Sequence, residues 1–237
     1  MPPKVVLIAA LKREIAPLAK SFKPSKRGSD RFAVLERGDV SLLCGGIGGK
    51  HAEVAARWAI ASLRPAVVMS VGFAGALTAD CKVGDVITPA TVIDANTGES
   101  FLARGGGGVL VSNAGVLAES GKRQLAARYG AEAVDMEAAA VARVAQERGI
   151  PFFAVKAISD EVGFAMPPMD RFVGAGGKFK TSKLLAHVAV RPALWPVLTR
   201  LGGNAKLASS QLSGWLENQM SRDFDGILEI VNDKARR

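Results

Sequence analysis

The chain has 237 residues, 49% of them hydrophobic, which is enough for one large α/β domain with a real core and too apolar for a disordered segment. Its longest uncharged apolar run, Pro65–Ala79, is 15 residues with Pro65, Gly72 and Gly75 inside it, short of the ~20 a membrane-crossing helix needs. The net charge of +9 is uneven: Arg171 to Arg222 carries eight Lys or Arg against the single acid Glu217, whereas the first 170 residues hold 20 basic and 17 acidic side chains.

In chain order, Val5–Ala10 reads as a first strand rather than a signal peptide, because the run is short and lacks a small-residue cleavage site. Ile15–Lys20 reads as a short helix. Phe32–Glu36 and Val40–Cys44 pair as a hairpin around Gly38-Asp39. Lys50–Leu63 has helical composition and stops before Pro65. Val67–Val71 and Val86–Ile93 are buried strands, and Gly105–Gly108 is a loop. Ala138–Arg148 is a helix with Met136, Ala140, Val144 and Ala145 on one face, ended by Gly149 and Pro151. Phe152–Ile158 is a buried parallel strand that delivers Ser159-Asp160 to its carboxyl end, where open α/β sheets bind ligands. Alternating strands and helices of these lengths make an α/β sheet. The Met166-Pro167-Pro168-Met169 break follows. Leu184–Met220, punctuated by Pro192, Pro196 and Gly202-Gly203, reads as two or three short amphipathic helices.

Two cysteines, Cys44 and Cys81, make no disulfide framework, and the two histidines, His51 and His187, have no ligand-spaced neighbours. Neither a metal nor any other cofactor is expected, and a reducing cytoplasm is the default compartment. The basic balance raises a nucleic-acid or polyanion-binding alternative. Against it, only 6% of residues are aromatic and they are not interleaved with the basic ones. The Gly45–Gly49 cluster matches neither the Walker nor the dinucleotide-binding spacing and reads as a tight turn before a helix.

Five segments in order carry a resemblance: Val5–Leu11 with Glu14 just after, Cys44–Lys50, Ser70–Leu77 leading to Val83-Gly84-Asp85, Met136–Ala140, and Ala157–Asp160. Together they resemble the purine nucleoside phosphorylase and nucleosidase superfamily, nearest to the 5′-methylthioadenosine/S-adenosylhomocysteine nucleosidases. The resemblance implies a three-layer α/β fold with a central mixed sheet over residues 1–163, followed by a basic helical extension over 164–237, and a small-molecule nucleoside as substrate. It also implies a homo-oligomer, although a glycine-rich link between Asp94 and Val109 replaces the segment that helps build the subunit interface in relatives. The tail resembles a narrower group, the hopanoid-associated phosphorylases, which act on adenosylhopane.

Cleaving a purine N-glycosidic bond requires a proton or hydrogen bond for the departing base, a carboxylate near the sugar, and an activated nucleophile. By resemblance Asp160 is the acid at the base and Glu14 activates the attacking water. Glu137 accepts hydrogen bonds from ribose hydroxyls with Met136 packed on the sugar, and Phe73, Ala74 and Ser159 line the site. Taken alone, Ser159-Asp160 is an ordinary turn cap, Glu137 an acid meeting a helix dipole, and Lys12-Arg13-Glu14 a solvated charge cluster. Phosphorylases of this fold carry an arginine and a hydroxyl where Ser70 and Phe73 stand here, which favours hydrolysis over phosphorolysis. For the tail, eight basic residues with Trp195 and Trp215 suit either peripheral contact with an anionic inner membrane surface or helices docked on the sheet.

Overall fold

The computed structural model describes residues 4–164, 195–222 and 224. Its centre is three parallel strands. β1 (Val5–Ala9) and a later strand, Phe152–Asp160, flank Val67–Ala76 on opposite edges. All three are branched, apolar runs buried on both faces, the condition that parallel strands require.

Outward from β1 the chain places β4 (Val40–Cys44) in parallel, then β3 (Val34–Arg37) and β2 (Lys23–Pro24) antiparallel. The expected hairpin is therefore present. The Val67–Ala76 strand, β5, runs five residues beyond the expected Val71, through Gly72 and Gly75. Expected strand Val86–Ile93 is two strands, β6 (Val86–Ile87) and β7 (Thr91–Asp94), because Pro89 interrupts the run and the two halves pair with different neighbours. β8 (Ser100–Leu102), β9 (Val109–Ser112) and β10 (Ala133–Asp135) complete the far side, and Phe152–Asp160 is β11. The result is a mixed sheet of eleven strands among the described residues.

One detail of register opens the site. β11 occupies a whole edge of β5, so β1 and β10 share the other: β1 pairs with Val67–Ser70 and β10 with Gly75–Ala76. Between them residues 71–74 have no ladder partner on that edge among the described residues. This gap, at the carboxyl end of β1, is where strands part company and ligands enter α/β sheets.

Helices form the outer layers. α2 (Gly49–Leu63) and α4 (Ala138–Glu147) cover one face with alanine-rich surfaces, buried at Ala52, Ala55, Ala56 and Ala59 and at Ala138–Ala142. Small side chains allow both helices to approach the sheet closely. α1 (Ala16–Ala19) and the long helix Trp195–Ser221 cover the other face; between α2 and α4 in sequence lies α3 (Glu119–Tyr129), and Trp195–Ser221 is α5. α5 is one helix of 27 residues, so over the described part of the expected Leu184–Met220 range there is a single helix and not short pieces. Pro196 falls in its first turn, where it costs nothing, and burial of Ala208, Leu212 and Leu216 outweighs the ~1 kcal/mol of each of Gly202 and Gly203. Trp215 packs against the core on this face, whereas Trp195 is 53% exposed. No described helix is long and apolar enough to cross a membrane. The Met166–Met169 break and the stretch around Pro192 lie outside the described residues.

Candidate active site

Past β1 the chain makes a tight 3-10 turn, Lys12–Ile15, that folds Glu14 back over the strand end. Its Oε2 accepts from the backbone N–H groups of Ala10 (3.2 Å) and Leu11 (3.3 Å). The carboxylate therefore lies buried, not on a solvated charged surface. It rests against Gly72 in the open stretch of β5, where a Cβ would stand 2.8 Å from Oε2. Only glycine leaves that contact room. Burial pushes the Glu14 carboxyl above its ordinary range, against the pull of the Lys156 ammonium.

Among the described residues Lys156 is the largest fully buried side chain, and it rises from the middle of β11 into the α2/α4 side of the sheet. Its Nζ pairs with Asp135 Oδ2 at 2.8 Å and donates to Ser70 Oγ at 3.0 Å. Burial opposes its charge, but the carboxylates of Asp135, Glu137 and Glu14 outweigh that and hold its pKa above the usual lysine value.

Asp135 also caps α4. Its Oδ2 accepts from Ala138 N (2.9 Å), its Oδ1 from Ser112 Oγ (2.5 Å), and that same Ser112 oxygen accepts from Ala139 N (2.9 Å). The first free amides of the helix are thus satisfied by Asp135 and Ser112. Glu137, the next acid, is released from capping and reaches across to accept from Gly48 N at 2.7 Å. Burial, and then the like charge of Asp135, push its carboxyl from an ordinary 4.5 up to about 8. Glu14, Asp135 and Glu137 surround one ammonium, so this end of the site is short of positive charge.

The other end is balanced. Asp160 is buried at the end of β11, and its Oδ2 accepts from the buried ammonium of Lys122 on α3. Its Oδ1 accepts from Ser159 Oγ at 2.9 Å. Among the described residues neither oxygen caps a backbone amide, so Asp160 is not performing the turn-capping role its position would permit. A Cβ on Gly75 would lie 2.8 Å from Asp160 Oδ2 and 3.3 Å from Lys122 Nζ. Gly72 and Gly75 thus clear space for the two carboxylates on one strand.

The structure brings Glu14 and Glu137 into one electrostatic cluster around Lys156 and sets Asp160 and Ser159 further along the same strand ends. Met136 closes β10 beside the start of α2, its carbonyl 3.7 Å from where a Gly49 Cβ would be. Ala74 faces the α2/α4 layer. Phe73 faces the opposite layer, half-buried against the α1/α5 core, as strand alternation demands of adjacent residues. Lys156, Asp135, Ser112 and Lys122 escaped sequence reasoning. A lysine inside the apolar run Phe152–Ile158 was the available signal, since buried lysines need a partner. Lys122 had only a weak one, lying in line with Leu125, Ala126 and Tyr129 on a helix that is otherwise polar. Among the described residues no three His, Cys, Asp or Glu side chains are grouped to hold a metal.

A family model described as the phosphorylase superfamily matches residues 4–111 and 102–174. A 5′-methylthioadenosine/S-adenosylhomocysteine nucleosidase from Staphylococcus carnosus is 26% identical over 219 residues, covering 76% of this chain and 96% of that protein. Among solved structures, the 5′-methylthioadenosine nucleosidase of Arabidopsis thaliana superposes with a TM-score of 0.71 at 17% identity, over 93% of this chain and 95% of its own. The futalosine hydrolase of Helicobacter pylori does so with a TM-score of 0.64 at 17% identity, over 92% and 99%. These structural likenesses are likenesses of fold.

Proposed function

The chain belongs to the phosphorylase superfamily, and from that premise we propose that it hydrolyses the N-glycosidic bond of a 5′-substituted adenosine and releases adenine. The observation that carries this reading is the buried Glu14 carboxylate at the open edge of β5, with its pKa raised and two further carboxylates around the single Lys156 ammonium. A base for water has a raised pKa and a hydrogen-bonded, fixed position. A phosphate dianion entering the same cluster would meet three carboxylates, and Ser70, where phosphorylases of this fold carry an arginine, is already engaged by Lys156. The relative and the fold neighbours named above as nucleosidases or a hydrolase support the same choice.

In this reading Glu14 takes a proton from water as its oxygen adds to the anomeric carbon, the bond from that carbon to purine N9 breaks, and Asp160, having first taken up a proton from solvent, passes it to N7 of the departing base. Glu137 accepts from the ribose hydroxyls, and Met136 packs on the sugar. Ser159 orients Asp160, while Ala74 and the half-buried Phe73 border the open stretch of β5. The catalytic unit is residues 1–163, and 164–237 is a basic helical extension packed on it or continuing it, of which α5 is the described part. The enzyme works in the cytoplasm as a homo-oligomer.

The finer reading is adenosylhopane as substrate, met at an anionic membrane surface through the tail. Its support is the tail's resemblance, its basic balance, and the exposed Trp195 and Leu207 on α5. One experiment tests the reaction: purified protein with a panel of 5′-substituted adenosines, with and without phosphate, scored for free adenine and for the sugar product. Adenine with free sugar in phosphate-free buffer is expected. Product only with phosphate, as sugar 1-phosphate, makes the enzyme a phosphorylase, and no adenine with salt-dependent retention on DNA or RNA makes it a polyanion binder. Co-sedimentation with anionic and with neutral vesicles checks the membrane reading, which requires binding to the anionic set.

A further inference from the structure

α3 buries a lysine where helices bury leucines. Lys122 is the sole buried residue among Glu119–Tyr129, and its side chain is only 4% exposed. Leu125, Ala126 and Tyr129 of the same face are only partly buried against Leu77, Val111 and Ala131, so the deepest position of the helix goes to a lysine, which needs a partner there. The ammonium donates to Asp160 Oδ2 and, at 3.0 Å, to the backbone carbonyl of Glu161. Two of its three protons are thereby directed at the end of β11. Nearby charges are occupied with each other: Glu119 pairs with Arg123 on the exposed side of α3, and Glu161 faces Arg200 of α5 at 3.8 Å.

We infer that Lys122 is a positioning residue for Asp160, and the inference rests on the nucleosidase reading above. Lys122 fixes one oxygen of the carboxylate and Ser159 the other, at 2.9 Å, so the group is held from two sides at the open end of the strand. Gly75 keeps the space beside both partners clear, because a Cβ there would contact each of them. A carboxylate that exchanges a proton with a ring nitrogen must meet it within hydrogen-bond reach, and an error of 1 Å can cost about 10²-fold in rate. Proton delivery by Asp160 therefore depends on a residue 38 positions earlier in the chain, on a helix that supplies nothing else to the site.

The test is a substitution series, Lys122→Arg, Lys122→Gln and Lys122→Met, assayed for adenine release on the nucleoside that wild type cleaves fastest. Arginine keeps charge and donors, glutamine keeps donors alone, and methionine keeps neither. We expect kcat to fall in that order, with Met about 10²-fold below wild type and KM within a few-fold throughout. In Lys122→Ala, added methylammonium should restore kcat in a saturable way, which a defect in helix packing would not allow. Glutamine still satisfies both acceptors, so it carries the test if methionine does not fold. An active wild type with a flat kcat series, or an alanine variant that no amine rescues, overturns this inference alone. A wild type that releases no base from any nucleoside overturns the proposed reaction and this inference together.

Discussion

The two ends of the site use buried charge in opposite ways. Around Lys156, three carboxylates share one ammonium: burial and then the charge of Asp135 push Glu137 up to about 8, and burial raises Glu14 against the pull of Lys156. Around Asp160, one carboxylate meets one ammonium, and the pair is fixed by hydrogen bonds on both carboxylate oxygens. Burial beside like charge makes carboxyls that hold protons toward neutral pH, whereas a paired carboxylate is fixed in position by its partners. The first arrangement suits activating water beside a sugar, and the second suits a fixed contact to a leaving base.

The sharpest way to break this comparison is at the balanced end. Asp160→Asn loses the proton and leaves the buried Lys122 ammonium without its counter-charge, so kcat should fall by ~10²–10⁴ and stability by about 3–5 kcal/mol. Steady-state kinetics beside a thermal melt checks both halves, and activity within a few-fold of wild type removes Asp160 from the acid role. At the crowded end, Lys156→Met should act chiefly on stability. It strands Asp135 beside Glu137 and deletes half of a fully buried pair, costing about 3–5 kcal/mol in denaturant titration. A loss under 1 kcal/mol would mean that the carboxylates neutralise themselves by protonation without the ammonium.

Glu14→Gln comes next. The amide cannot accept water's proton, and kcat should drop by about 10²-fold with little change in KM, measured in phosphate-free buffer. Retained hydrolysis would hand the role of base to another carboxylate of the same cluster.

The smallest effect is the most diagnostic of surplus charge. Glu137 holds its proton to about pH 8 when folded and to an ordinary 4.5 when unfolded, so between those values the folded state binds the extra proton. Stability must then fall as pH rises across that window and level off above it, with Glu14 adding the same sign. Urea unfolding at about pH 5, 6.5 and 8 should trace this slope, and Glu137→Gln should flatten it. A slope unchanged in the Gln variant would place the proton elsewhere.

Much of the frame was legible in the sequence, because β1, β4, β5 and β11 are branched apolar runs and α4 carries a clear apolar face. What was hidden depended on long-range partners. Gly72 and Gly75 read as the end of a strand, yet flanking strands carry β5 through them. Pro89 split a run that composition alone joined. The short strands β8, β9 and β10 have no pattern of their own and exist by pairing. Within the site, Glu14, Glu137 and Asp160 stood out by resemblance, but their environment did not. Lys156 hid in plain view inside a hydrophobic run, and Lys122 could be found only once α3 was set against β11.

The long helix at the far end of the chain has a consequence for when the protein becomes competent. Ser209 Oγ of α5 donates to the carbonyl of Arg13 at 3.1 Å, Ser213 Oγ accepts from Leu18 N at 3.3 Å, and Leu212 and Leu216 share a core with Ile15 and Leu18. The turn that carries Glu14 is thus braced by residues made some two hundred positions later in synthesis. A nascent chain with every strand of its sheet already translated still lacks that brace. Competence therefore arrives with α5, and a ribosome stalled before it would hold a chain with the described strands translated and its Glu14 turn unsupported.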